Sequence, residues 1–289
     1  MTSKQYLFTI LLAICLIYLV ACASSNDTAK KDETKNVSPP SEIQFDYADG
    51  ASLPVQQYQQ KQTVAIKNFR VGDGRNRILI AGVHVEEMGA ENVNDMVITG
   101  VTFDDRQLTL LPDSEIQLSE MWRGDEYFLK VALYYLINPP SGTHDIKVTY
   151  AGPVRSGNVG AISLYNTQQA APVTLVTNKR KKQKKIITQI TTKNDGAWVV
   201  DIVGCGHKSK LRPKTEGHIR RFNTQEKTGG KSSMVGGTLA VPNAGEVTLH
   251  WAQPLLDYGL DWPASRFPDV VVSFSPQYWT ATTGRGNDA

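Results

Sequence analysis

The chain has 289 residues, 40% of them hydrophobic, with 31 basic and 28 acidic side chains and only three cysteines. That length supplies a packed core in one or two domains and excludes a fold that depends on disulfide staples. Setting aside Lys4 and the six basic residues of 179–185 leaves 24 basic against 28 acidic, so the body is mildly acidic and the net charge of +3 gives no ground for nucleic-acid binding.

Lys4 precedes an apolar stretch over residues 7–20, which is short for a bilayer span of about 20 residues but has the length of a signal-peptide core. The stretch closes on Leu19-Val20-Ala21-Cys22, which resembles the lipobox of bacterial lipoproteins. The resemblance implies cleavage before Cys22 and acylation of both its thiol and its new amino group. Buried acyl chains gain roughly 0.8 kcal/mol per methylene, so several chains anchor durably where one holds only marginally. Ala23 and Ser24 follow where retention at an inner membrane calls for aspartate, so an outer-membrane address is expected if the cell has two membranes. Cys15 leaves with the signal and Cys22 takes lipid, which leaves Cys205 as the mature chain's single thiol and no intrachain disulfide. Residues 22–40 read as a flexible tether, rich in Ser, Asn, Asp, Lys and Thr and ending in Pro39-Pro40.

Residues 41–276 read as a β domain and 277–289 as a loose tail. Short runs of Val, Ile, Leu, Tyr, Phe and Thr, punctuated by Gly, Pro, Asn and Asp, predict strands at 78–86, 97–103, 127–137, 144–150, 159–165, 198–204, 245–251 and 269–274. No helical repeat is sustained. The expectation is all-β, a two-sheet antiparallel β-sandwich, jelly-roll-like, with the runs that are apolar on both faces packed against neighbouring loops. One hairpin turns through Asp104-Asp105. A second turns through Asn138-Pro139-Pro140-Ser141-Gly142, where proline fixes φ and Gly142 supplies a positive φ. A third is expected to join residues 173–176 to 186–190, with the basic run at its tip.

The strings Asn76-Arg77-Ile78-Leu79-Ile80-Ala81-Gly82-Val83, Val101-Thr102-Phe103, Asn138-Pro139-Pro140-Ser141-Gly142-Thr143-His144 and Trp198-Val199-Val200-Asp201 together resemble a class of β-sandwich modules found in bacterial extracellular proteins. The likeness covers most of residues 70–276. It implies fold and location and no defined activity. The chain departs from the pattern at Asp104-Asp105, where glycines are usual, and at the basic run.

Zinc-protease spacing, Cys-x-x-Cys and Gly-x-Ser-x-Gly are absent from the sequence. Gly230-Lys231-Ser232 imitates the end of a phosphate loop without its first glycine or a strand-to-helix setting, and reads as a glycine-rich surface loop. Cys205 and His207 are spaced for a thiol–imidazole pair, although a cysteine closing an apolar strand usually packs as a small hydrophobe. His207 and His218 are weak candidates for a shared metal. Asp104, Asp105 and Asp125 are weak calcium candidates whose simpler role is to bond their own turns.

The sharpest local feature is Lys179, Arg180, Lys181, Lys182, Lys184 and Lys185. Such a cluster attracts anionic polymers through counterion release without reading sequence, and lysines also keep an exposed strand edge from pairing. Trp122, Tyr127, Tyr258 and Trp262 fall in or beside loops and are candidates for stacking on sugar rings. The expectation is a lipid-anchored, non-catalytic binding or adhesion module for a glycan or anionic envelope polymer. The alternatives are a structural lipoprotein acting through an envelope protein partner and an enzyme with an unrecognised site. No cofactor and no sequence-specific nucleic acid are expected. Replacing Cys22→Ser is expected to abolish incorporation of labelled palmitate and to move the protein from the detergent-extracted to the soluble fraction; palmitate retained by the variant would refute acylation at this residue.

Overall fold

A computed structural model describes residues 37–53, 62–122, 124–206, 210–225, 232–253 and 265–280; Cys22 and the segment read as a signal lie outside them. Pro39–Trp279 forms one compact unit. In chain order its strands begin with β1 (Val37–Ser41), β2 (Gln44–Ser52), β3 (Thr63–Val71), β4 (Ile78–Met88), β5 (Ile98–Phe103), β6 (Arg106–Gln107) and β7 (Thr109–Leu110). Next come β8 (Ile116–Trp122), β9 (Asp125–Ile137), β10 (Gly142–Tyr150), β11 (Ser156–Tyr165), β12 (Thr174–Gln183) and β13 (Lys185–Thr192). The order closes with β14 (Ala197–Cys205), β15 (Arg212–Pro213), β16 (Ile219–Asn223), β17 (Ser233–Val241), β18 (Gly245–Ala252), β19 (Ser265–Phe274) and β20 (Gln277–Thr280).

The protein is all-β, and the expected two-sheet sandwich occurs twice. An outer sheet β3-β10-β5-β6 packs on an inner sheet β2-β11-β4-β9-β7, with β8 also paired to β9. A second inner sheet β12-β19-β14-β17-β16 packs on an outer sheet β13-β18-β15. β1 pairs with β20 as a separate ribbon, so the ends of the segments read as tether and tail are drawn into strands.

Three apolar layers hold the four sheets together. Phe69, Phe103, Ile146 and Val148 of the first outer sheet meet Ala81, Val83, Val159 and Ala161 of the first inner sheet. The other face of that inner sheet, with Ile78, Ile80, Leu133 and Ile162, meets Val200, Ile202, Met234 and Val270 of the second. Beyond it, Val203 and Val235 meet Ile186 and Trp251, while Val199 and Val271 meet Ile190 and Leu249. The strand patterns follow from these layers. The outer strand β13 alternates exposed and buried along its whole length, whereas the inner strand β4 is buried at every position but its last. Runs apolar on both faces were expected to lie against loops; they lie against a second sheet.

The two sandwiches share one topology. Laying β12-β19-β14-β17 on β2-β11-β4-β9, and β13-β18-β15 on β3-β10-β5, matches these seven strand pairs in order; β6, β7, β8 and β16 stand outside the match, and the bulges in β10–β3 and β11–β2 have no equivalent at the same places. Ile78 is the partner of both Leu164 and Ile137, and Trp198 likewise of both Phe274 and Ala240. Two residues before these, Asn76 (φ 51°) and Gly196 (φ 68°) take the left-handed conformation at matching places. The hairpins Asn138-Pro139-Pro140-Ser141 and Val241-Pro242-Asn243-Ala244 are of equal length, and Gly142 and Gly245 end them at φ 118° and 153°.

The inner sheets meet through glycine sockets. A Cβ on Gly82 would lie 2.5 Å from Ile202 Cγ2. One on Gly160 or Gly236 would lie 2.1 or 2.3 Å from the Phe222 ring, which is wedged between them. Removing that ring in Phe222→Ala is expected to cost about 3–5 kcal/mol in urea denaturation, and forcing a methyl against it in Gly160→Ala about 1–3 kcal/mol. A loss below 1 kcal/mol in both would show that the wedge contributes little to stability.

Candidate functional site

The basic run is not the tip of a paired hairpin. Among the described residues β12 pairs with β19 alone and β13 with β18 alone, so the chain crosses at the run from the inner to the outer sheet of the second sandwich. Periodicity finds a strand on each side of the run, but β12 continues to Gln183 through most of the basic residues expected at a tip, and periodicity carries no information about which sheet each strand joins. Side chains bridge the crossing: Asn178 Nδ2 donates to Ile187 O at 2.8 Å and Thr174 Oγ1 to Thr191 O at 3.3 Å. Both strands are sheet edges. Lys179 and Arg180, opposite Pro268 and Phe267, and Lys184 and Lys185 are all exposed. The side chains of Lys181 and Lys182 lie outside the described residues.

Asp104 and Asp105 form the two-residue loop of the β5–β6 hairpin, with Phe103 paired to Arg106 and φ of 50° and 57°. Two left-handed positions favour glycine or asparagine, and aspartate tolerates them through local hydrogen bonding. Asp104 has a further partner: its Oδ1 lies 2.9 Å from Nδ1 of His144, whose ring stacks edge-on to Phe103 at 5.3 Å. The Asp-Asp turn and the Asn138–Gly142 turn with its histidine are therefore fastened to each other. Asp125 is elsewhere, opening β9 opposite Trp122. Among the described residues no group of three His, Cys, Asp or Glu is arranged to hold a metal ion.

Other expected site residues resolve differently. Tyr127 is buried, with the Arg155 guanidinium 4.9 Å from its ring centre, so it offers no stacking face. The Trp122 side chain, Tyr258 and Trp262 lie outside the described residues, as does His207. Cys205 is 1% exposed and packs with Ile186, Val203, Leu211, Val235 and Trp251 as a core residue. His218 is buried with its Nε2 3.1 Å from Asp201 Oδ1, an internal partner in place of a metal.

The convergent polar groups that sequence reading missed lie between the two inner sheets. Asn158 Nδ2 is 3.1 Å from His84 Nδ1 and 2.7 Å from Ser232 Oγ; Ser232 Oγ lies 2.6 Å from Ser156 Oγ; Thr224 Oγ1 donates to Asn158 Oδ1 at 2.8 Å and accepts from the Met234 amide at 2.9 Å. All five side chains are fully buried. The one local signal for them is a polar residue inside an apolar run, as in Val83-His84-Val85.

Chemically this network holds rather than reacts. Burial pushes the His84 imidazole down to about 3, so it is neutral at physiological pH and mismatched to general-base work there. With Asn158 donating to Nδ1, the ring proton sits on Nε2, which has no hydrogen-bond partner among the described residues. Ser232 Oγ is 3.5 Å from Nδ1, and no carboxylate orients the far side of the ring. A buried network tied across two surfaces in this way fixes their register.

The sequence matches no protein-family model, and no curated protein is significantly similar to it. The site must be read from its geometry. Asn158→Ala strands groups on His84, Thr224 and Ser232 at once and is expected to cost about 2–3 kcal/mol in chemical denaturation, since each unmet buried group costs about 1–3 kcal/mol. An unchanged midpoint would mean the network does not join the two halves.

Proposed function

We propose that this chain is a lipid-anchored envelope protein whose tandem jelly-roll-like sandwiches hold an anionic envelope polymer, bearing phosphate or carboxylate, on the basic crossing at residues 179–185. The observation that carries the reading is the exposure of Lys179, Arg180, Lys184 and Lys185 where β12 and β13 pass between sheets, on a body otherwise mildly acidic. The jelly-roll reading is supported by the interleaved orders β2-β11-β4-β9 and β3-β10-β5-β6. Anchorage through Cys22 and the tether at 22–40 keeps such a contact at the envelope, where many weak phosphate contacts act together.

Cations clustered on one crossing act through a potential that salt screens over about 8 Å at physiological strength, so the contact is electrostatic and indifferent to polymer sequence. Lysines on an edge strand also prevent edge-to-edge association, and the test separates the two roles. The acyl-free Cys22→Ser protein is expected to be retained on immobilised lipopolysaccharide or polyphosphate at low salt and released as salt rises. Replacing Lys181, Lys182, Lys184 and Lys185 by Gln is expected to weaken retention by about tenfold or more, with the melting temperature unchanged. Equal retention of the variant refutes polymer binding here, and self-association of the variant with unchanged retention assigns the lysines to edge protection.

A further inference from the structure

The core of the second sandwich contains two aspartates. Asp201 on β14 and Asp269 on β19 are 0% and 1% exposed. The pairings Asp201 with Val271 and Val203 with Asp269 place them diagonally on the face that meets the outer sheet. Asp201 Oδ2 accepts from Trp251 Nε1 of β18, and Oδ1 lies 3.1 Å from His218 Nε2, in the segment leading into β16. The two rings stack edge-on at 4.7 Å. Asp269 Oδ2 accepts from Thr188 Oγ1 of β13 at 2.6 Å, and Thr188 in turn accepts from Asn178 Nδ2 of β12 at 3.0 Å. Every tie from the two carboxylates therefore runs across the gap to the outer sheet or to the segment carrying His218. Asp269 Oδ1 and His218 Nδ1 are buried without a partner among the described residues.

The first sandwich shows that the topology does not require these groups. In the matching registers, Asp201, Asp269, Trp251 and Thr188 correspond to Ala81, Val159, Val148 and Ile66, all buried and apolar. Gly237 corresponds to Tyr134. A Cβ on Gly237 would lie 2.4 Å from His218 Nε2 and 2.9 Å from Asp201 Oδ1, so its bareness is what admits the pair. A fold that closes with a hydrocarbon layer in one copy carries two carboxylates and an imidazole in the other, where burying charge is costly.

We propose that Asp201, His218 and Asp269 form a proton-operated latch on the outer sheet of the second sandwich, closed while Asp269 holds a proton and loosened when both aspartates are ionised. Burial, and then the charge of Asp201, raise the Asp269 carboxyl well above the ordinary carboxylate range, against a smaller opposing effect of the Thr188 hydrogen bond. The titratable groups nearest it are Asp201 from β14 and His218. On the same side of the sheet Cys205 ends β14 two residues after Val203, Arg220 of β16 pairs with Gly237, and Arg180 follows Asn178 two residues on in β12. Asn178, Thr188, Gly237 and Trp251, also around the cluster, do not titrate. His250, Lys185 and Lys214 neighbour one another on the other face of β18 and its flanking chain.

The sign of the linkage follows from the raised value. The folded state binds the proton more tightly than the open one, so the latch contributes fully below the ordinary value of 3.8 and is lost as pH rises toward the folded-state value. For one proton the opening equilibrium grows by up to about tenfold per pH unit within that window. The latch does not depend on polymer binding at the crossing.

The test is amide hydrogen exchange of β13 and β18 in the mature protein across pH, corrected for intrinsic exchange, with the first sandwich as internal reference. Protection of β13 and β18 is expected to fall by up to about tenfold per pH unit above the ordinary aspartate range. It is expected to become pH-independent in Asp269→Asn and in Asp269→Val, the latter installing the residue type found at the matching place. Flat protection in the unmodified protein, or an unaltered slope in the variants, overturns the latch. Should neither variant fold, the Asp269 carboxyl followed by carbon NMR in the unmodified protein decides it, since titration in the ordinary aspartate range overturns the proposal and retention of the proton well above that range supports it.

Discussion

The architecture depends on two sheets whose central strands have no solvent face. Burying an inner strand on both sides requires every side chain on it to be apolar or to carry its own partner, and it requires the sheets to approach closely enough to leave no gap. Gly82, Gly160 and Gly236 meet the second requirement by removing side chains where Ile202 and Phe222 must enter. The same condition pushes polar residues outward. The outer strands can alternate because one side of them meets water, and the cationic crossing lies on strands at sheet edges.

The two polar clusters inside the molecule answer this condition differently. Between the inner sheets, His84, Ser156, Asn158, Thr224 and Ser232 bond mainly to one another and leave the far nitrogen of His84 unmet. In the second sandwich the carboxylates are tied outward to Trp251, Thr188 and His218, and an oxygen and a ring nitrogen have no partner among the described residues. The first arrangement holds because most of its donors and acceptors are paired within a small group of neutral side chains. The second places two carboxyl groups and an imidazole in a low-dielectric core, and burial together with the neighbouring Asp201 raises the Asp269 carboxyl above the ordinary carboxylate range.

Much of the strand layout was legible from local pattern. The runs at 78–86, 127–137 and 198–204 were placed within a few residues, because branched and aromatic side chains between turn formers encode a strand directly. The flanking β2, with Gly50 and two aspartates, is too polar to stand out. Sheet membership was not legible: β12 and β13 are consecutive strands as in a hairpin, and the pairing with distant β19 and β18 separates them. The duplication was hidden as well, since topologically equal places hold Ala81 against Asp201 and Val148 against Trp251, while the matching turns share little beyond a proline and the closing glycine. The lysine run was visible because it is contiguous. The His84 cluster was not, because its members come together from 74 and 148 residues apart. Asp104 was rightly seen as a turn former, but its bond to His144 needs β10 beside β5.

The contact between the sandwiches joins each to the other through the same sheet, the face of β4 carrying Ile78 and Ile80 against the face of β14 carrying Val200 and Ile202. Two separate copies of one sandwich meeting this way would form an isologous dimer, in which each substitution appears twice across the axis and assembly depends on concentration. Covalent linkage in one chain removes both constraints. Each half supplies the other's partner at fixed local concentration, and a charge tolerated in one core need not be tolerated in its twin.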